Sequence, residues 1–258
     1  MLRFILLASL TAAGAGCADI DEEIVDSDRA PLATRANGAE TGAFLRETTP
    51  AGYGCIESTF ALPDYREDVR AEGAPWVYFG VSDERGSDAE IGFSFQPGDG
   101  SARKPRRWLP YVRRGKTFWF ADPDEALLPG DTTSLLVRLV GDRLHWKSNG
   151  RPLAFRKGDE SVWSLQLPGI DPARAHFRRV VGQALSKSYD GRALATLGPV
   201  EMTGTTVCEP GGAVMPFAGR HASWSENRRG VVFGTATWPA RAASRTNDHG
   251  RETVWLFR

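Results

Sequence analysis

The chain is poor in the residues that most often carry chemistry: three cysteines and four histidines in 258 residues, with a formal net charge of zero. With 32 Lys and Arg against 32 Asp and Glu, nothing argues for nucleic acid as a bulk electrostatic partner. His145, His176, His221 and His249 stand too far apart for a local metal motif, and no His-Glu-x-x-His segment occurs. A Gly-x-Ser-x-Gly nucleophile elbow is also missing. Gly115-Lys116-Thr117 ends like a phosphate-cradling loop, yet Pro110 occupies the place of its first glycine. No cofactor and no metal are implied. The apolar run near the start falls short of the about 20 residues that a bilayer-spanning helix needs.

What is present begins with an export signal over residues 1–17. Arg3 supplies a short positive region, Phe4 to Leu10 an apolar one, and Thr11 to Gly16 are all small, as a signal peptidase cleft requires. Gly14-Ala15-Gly16-Cys17 resembles a lipobox, the bacterial lipoprotein signal, with Gly14 where that family has Leu, Val or Ile. The resemblance implies a lipid on the Cys17 thiol and a membrane as partner through that anchor. Ala13-Gly14-Ala15 equally fits ordinary cleavage after Ala15 and a soluble product.

An exported protein rarely keeps an idle thiol. If Cys17 is acylated, Cys55 and Cys208 remain as a pair for a disulfide; the alternative is two buried free thiols. Residues 18–42, acidic at first and then rich in small residues, read as a flexible tether, with an edge strand laid on the domain as the alternative.

Residues 43–258 read as one all-β domain. Val77, Phe79 and Val81 alternate with Trp76 and Tyr78, and Ile91, Phe93 and Phe95 alternate with Gly92 and Ser94. Arg107–Val112 and Lys116–Phe120 form two more strands joined at Arg114-Gly115, with Pro110 pushing the first toward an edge or a bulge. Leu135–Val140 turns at Gly141-Asp142 into Arg143–Lys147, and Asn149-Gly150 is a pair suited to positive φ in a tight hairpin. Asp171-Pro172 could start a helix, but Phe177–Ala184 is read as a strand, and further strands fit Val200–Val207, Gly230–Trp238 and Glu252–Phe257. Roughly twelve short strands separated by turns predict a two-sheet antiparallel sandwich of jelly-roll type. Asp88–Pro97 followed by Trp108-Leu109-Pro110-Tyr111 resembles a pattern in secreted bacterial β-sandwich proteins of the YrpD type. That resemblance implies a fold similar to concanavalin A-like lectins and glucanases, and no firm activity.

Candidate binding residues follow from charge and aromatics. Arg103-Lys104-Pro105-Arg106-Arg107 is the densest basic run, with Trp108 and Tyr111 close behind it. Arg106 and Arg107 could fork onto carboxylate or phosphate while Trp108 and Tyr111 face sugar rings; the alternative is a charged loop balanced by nearby acids. Trp224, in a polar loop, is the further candidate for an exposed indole, whereas Trp76, Trp119, Trp146 and Trp238 sit in alternating strands. Asp88 and Glu90 share a strand face, the only hint of paired catalytic carboxylates. The reading is a non-catalytic envelope lipoprotein that binds a polysaccharide or another envelope component. A polysaccharide hydrolase or lyase, and a structural or assembly protein, are the alternatives.

Overall fold

The computed structural model describes residues 22–25, 42–65, 75–99, 101–184, 197–217, 226–232, 241–246 and 251–257. They form two antiparallel sheets packed face to face as a jelly-roll sandwich. The strands are β1 (Glu22–Val25), β2 (Gly42–Thr48), β3 (Cys55–Ala61), β4 (Pro75–Ser82), β5 (Asp88–Gln96), β6 (Arg107–Arg114), β7 (Thr117–Phe120), β8 (Thr132–Val140) and β9 (Arg143–Ser148). They continue with β10 (Phe155–Lys157), β11 (Glu160–Val162), β12 (Ser164–Gln166), β13 (His176–Ala184), β14 (Leu197–Cys208), β15 (Val214–Pro216), β16 (Glu226–Val232), β17 (Arg241–Thr246) and β18 (Arg251–Phe257). The first sheet runs β1-β17-β18-β14-β3-β8-β9-β12, with β15 against β14; the second runs β11-β10-β7-β6-β5-β4-β13-β2-β16.

Period-two alternation decides which side chains meet between the sheets. Phe60 of β3 packs on Phe79 of β4 at 5.3 Å and on Phe93 of β5 at 5.8 Å between ring centroids, joining the two layers. Ile56, Val137, Leu144 and Met202 from the first sheet meet Val77, Val81, Ile91 and Val112 from the second in the same core. Each large apolar side chain buried this way stabilises the fold by about 1.5–3 kcal/mol.

Several elements differ from what the pattern suggested, each for a visible reason. Pro110 lies inside the second sheet, not at its edge. Its missing amide falls beside the end of β7, where the chain leaves the ladder after Ala121 donates to the Pro110 carbonyl and rejoins at Leu127 opposite Trp108. Asp171-Pro172 makes only a turn, closed by Arg174 N–H on the Asp171 carbonyl, before β13 extends between β4 and β2. Within the stretch read as a tether, Glu22–Val25 instead forms an edge strand on β17. Residues 1–21 with Cys17, and Trp224 and Trp238, lie outside the described residues.

Cys55 and Cys208 are joined in a disulfide between directly opposed residues of β3 and β14, with Cα atoms 5.0 Å apart.

Candidate functional site

Two outer sheet faces carry polar and aromatic side chains, and they differ in how far those side chains are already engaged. On the second sheet, the residues that alternate away from the core are Trp76 and Tyr78 of β4, Glu90 and Gly92 of β5, Tyr111 and Arg113 of β6, and Arg178 and Val180 of β13. Gly92 leaves room for its neighbour. A Cβ there would stand 2.2 Å from the Val77 carbonyl oxygen and 2.5 Å from Tyr78 Cα, both backbone atoms that cannot yield cheaply. Gly92→Ala should therefore cost about 1–3 kcal/mol of stability in urea unfolding.

Over these gaps the aromatics close into a second apolar cluster of Tyr78, Tyr111 and Val180, flanked by Trp76, Phe118 and Phe120. Trp76 meets Tyr111 edge-on at 4.7 Å. Tyr111 is fully buried there.

Beside the cluster sits a four-membered ion network. Arg113 grips Glu90 with two bonds, Nε to Oε2 at 2.8 Å and Nη2 to Oε1 at 2.5 Å, and reaches Asp88 at 3.4 Å. Arg178 donates to Asp88, to Ser82 Oγ at 3.0 Å and to Glu90 at 3.4 Å. Gly80 makes this possible, since a Cβ at that position would lie 2.3 Å from Arg178 Nε. Burial works against the charge on Arg178, but Asp88, then Tyr78 and Glu90, outweigh it and hold the guanidinium above its ordinary value. Asp88 and Glu90 do share one face, and both are bound by guanidinium groups. Glu90 is buried there, with both of its oxygens taken by Arg113.

The basic run is taken apart by the same alternation. Trp108 points inward, fully buried against Phe95, and its indole N–H donates to the Pro63 carbonyl at 2.8 Å; it has no ring face for a ligand. Arg107 points the other way, opposite Gln96, and Arg106 pairs with Asp64 at 3.4 Å. Arg106, Arg107, Trp108 and Tyr111 are thus neighbours in sequence that divide between the core, the closed aromatic cluster and a rim ion pair.

The outer face of the first sheet is different. A groove of about 380 Å³ is lined by Leu136, Arg138, His145, Lys147, Pro152 and Trp163, with Trp146 beneath. Arg138 and His145 are directly opposed on β8 and β9, and Lys147 is opposed to Leu136 one step along. Strand spacing places the bases of these side chains about 5 Å apart across and about 7 Å apart along the strands. One rung of the sheet runs Cys208, Cys55, Arg138, His145, Ser164 as successive partners, so the disulfide sits on the rung that carries Arg138 and His145 of the groove.

Trp163 is the residue at which the chain crosses between sheets. Val162 ends β11 opposite Phe155 in the second, and Ser164 begins β12 opposite His145 in the first. Both flanks are strand-paired, so the backbone of Trp163 is held while its side chain is 60% exposed. Sequence reasoning passed over it, because a lone Trp between two three-residue strands shows no periodicity. Among the described residues no group of three His, Cys, Asp or Glu is gathered as a metal site would need.

No protein-family model matches the chain, and no curated protein matches it. Among solved structures, scytalido-glutamic peptidase is similar in two complexes, one with a peptide-based transition-state analogue and one with a transition-state analogue inhibitor. Their TM-scores are 0.50 and 0.51 at 10% identity, and each alignment covers 84% of this chain and 98% of the peptidase. An endo-glucanase of glycoside hydrolase family 16 from Bacteroides ovatus aligns with a TM-score of 0.33 at 11% identity, over 67% of this chain and 83% of its own. At such identities the peptidase likeness is one of fold: the chain is a β-sandwich of the same general path.

Proposed function

We propose that the chain is an exported, non-catalytic envelope protein that binds a glycan in the groove between β8, β9 and Trp163. The observation that carries this reading is Trp163 itself, a tryptophan fixed by strand pairing on both sides yet 60% exposed beside a groove. An exposed indole beside a groove is free to stack on the C–H face of a pyranose. The tie of Asp88 and Glu90 to two arginines supports binding over hydrolysis. The lipobox-like segment ending at Cys17 and the YrpD-type pattern support export, with the lipid anchor read from Cys17. Mass spectrometry of the mature N-terminus tests that anchor: a diacylated Cys17 is expected, and a free Gly16 would remove it.

A panel of envelope and plant polysaccharides, immobilised and probed with the full chain, tests the binding reading. Trp163→Ala should lower affinity for any retained glycan by about tenfold or more. Its stability should stay within about 0.5 kcal/mol, since the side chain is outside the core. Retention unchanged in Trp163→Ala would place the site elsewhere. Reducing ends released from a retained polymer, and lost in Glu90→Gln, would replace binding with hydrolysis.

A further inference from the structure

Resting on the groove reading above, we infer that its ligand is an acidic saccharide, one bearing carboxylate or sulfate groups. The groove's charged residues are Arg138 and Lys147, with His145 opposed to Arg138, and no described carboxylate lines it. Some surface arginines find an acid, among them Arg106 on Asp64 and Arg251 on Glu201, while others such as Arg103 and Arg114 make no ion pair with a described residue. Arg138 and Lys147 make no ion pair with any described residue, although the chain as a whole has equal numbers of basic and acidic groups. The nearest acid by register, the exposed Glu57 of β3, is opposite Leu136 and so diagonal to Arg138, and it makes no ion pair with Arg138 or Lys147.

Physical chemistry makes this arrangement informative. Cations opposed or diagonal on neighbouring strands repel and add nothing to the sheet. Here Lys147 stands diagonal to Arg138, whose rung a disulfide already holds. A guanidinium fork matches a carboxylate or sulfate with two parallel bonds, and an ammonium adds a point charge one step along. Trp163 lines the same groove, and an indole can stack on a neutral C–H face. Anion and apolar ring face together describe a uronate or a sulfated sugar better than a free anion or a neutral glycan.

The test compares polyanions with uncharged relatives. Retention of the full chain is measured at about 50 mM salt, where charge contacts are weakly screened, on polygalacturonate, alginate and heparin, beside methyl-esterified pectin, dextran and phosphatidylglycerol vesicles. At least one polyanion should be retained, with affinity falling about tenfold or more in the double variant Arg138→Ala, Lys147→Ala while its melting temperature stays unchanged. Polyanion retention unaffected by that variant would overturn the inference. Neutral glycans retained as well as polyanions, in a Trp163-dependent way, would overturn the acidic class and leave the glycan reading standing. Retention on vesicles alone, or on nothing in the panel, would overturn both.

Discussion

Replacing Arg179 with methionine should cost about 3–5 kcal/mol of folding free energy, measured as the loss in urea or thermal unfolding. Arg179 is 2% exposed in the middle of β13, on the inward face. It donates to Glu47 of β2 and to Glu252 of β18, reaches Thr205 Oγ1 of β14 at 3.1 Å, and lies 4.2 Å over the Phe217 ring. One guanidinium thus ties the second sheet to the first. Burial works against its charge, but Glu252 and then Glu47 outweigh that and hold it above its ordinary value, so it stays cationic at every accessible pH. Removing it leaves two carboxylates in the interior without their cation, and the cost comes from those carboxylates rather than from the lost methylene packing, which methionine replaces. Converting Glu47 and Glu252 to glutamine in the same protein should therefore recover part of the loss, a coupling that independent sites would not show. A loss under about 1 kcal/mol for the single variant would mean that water reaches this network.

The second large effect belongs to the disulfide. Changing Cys55 and Cys208 to serine opens a link across 153 residues. Loop entropy alone puts the loss near about 5 kcal/mol, with about 2–5 kcal/mol typical of native bridges removed from exported domains. The bridged residues are buried, at 5% and 3% exposure, so serine also leaves two hydroxyls in a dry setting. Because Cys55 is the rung neighbour of Arg138, the reduced protein at a temperature where it still folds should keep Trp163 in place but bind its ligand less tightly. Guanidinium unfolding of the oxidised protein against the double serine variant gives the energy. Equal midpoints would show that the bridge adds nothing to the folded state.

The strands were legible because alternation is local. Val77, Phe79 and Val81 declare one face and Trp76 and Tyr78 the other, and the sheet follows. Asn149-Gly150 was legible for the same reason: both residues adopt positive φ, +48° and +73°, as that pair allows. The sites were less so. Arg106 to Tyr111 looked like one basic and aromatic patch, but period two sends Trp108 inward and Arg107 outward, so proximity in sequence is separation in space. Arg178-Arg179 repeats that lesson: adjacent in one strand, they point to opposite faces, so one arginine joins the outer ion network and the other spans the core. The groove is assembled from β8, β9 and the crossover at Trp163, residues whose meeting depends on register and chain crossing, which no short window of sequence contains.

Most direct for the account is the indole N–H signal of Trp163 in a two-dimensional proton–nitrogen spectrum, assigned by its disappearance in Trp163→Phe and followed as a retained glycan is added. The Trp163 signal should move with saturation, while that of Trp108 stays fixed, because its N–H group is engaged by the Pro63 carbonyl in the core away from the groove. A glycan that binds while leaving Trp163 unmoved and shifting Trp76 on the opposite sheet would contradict the account.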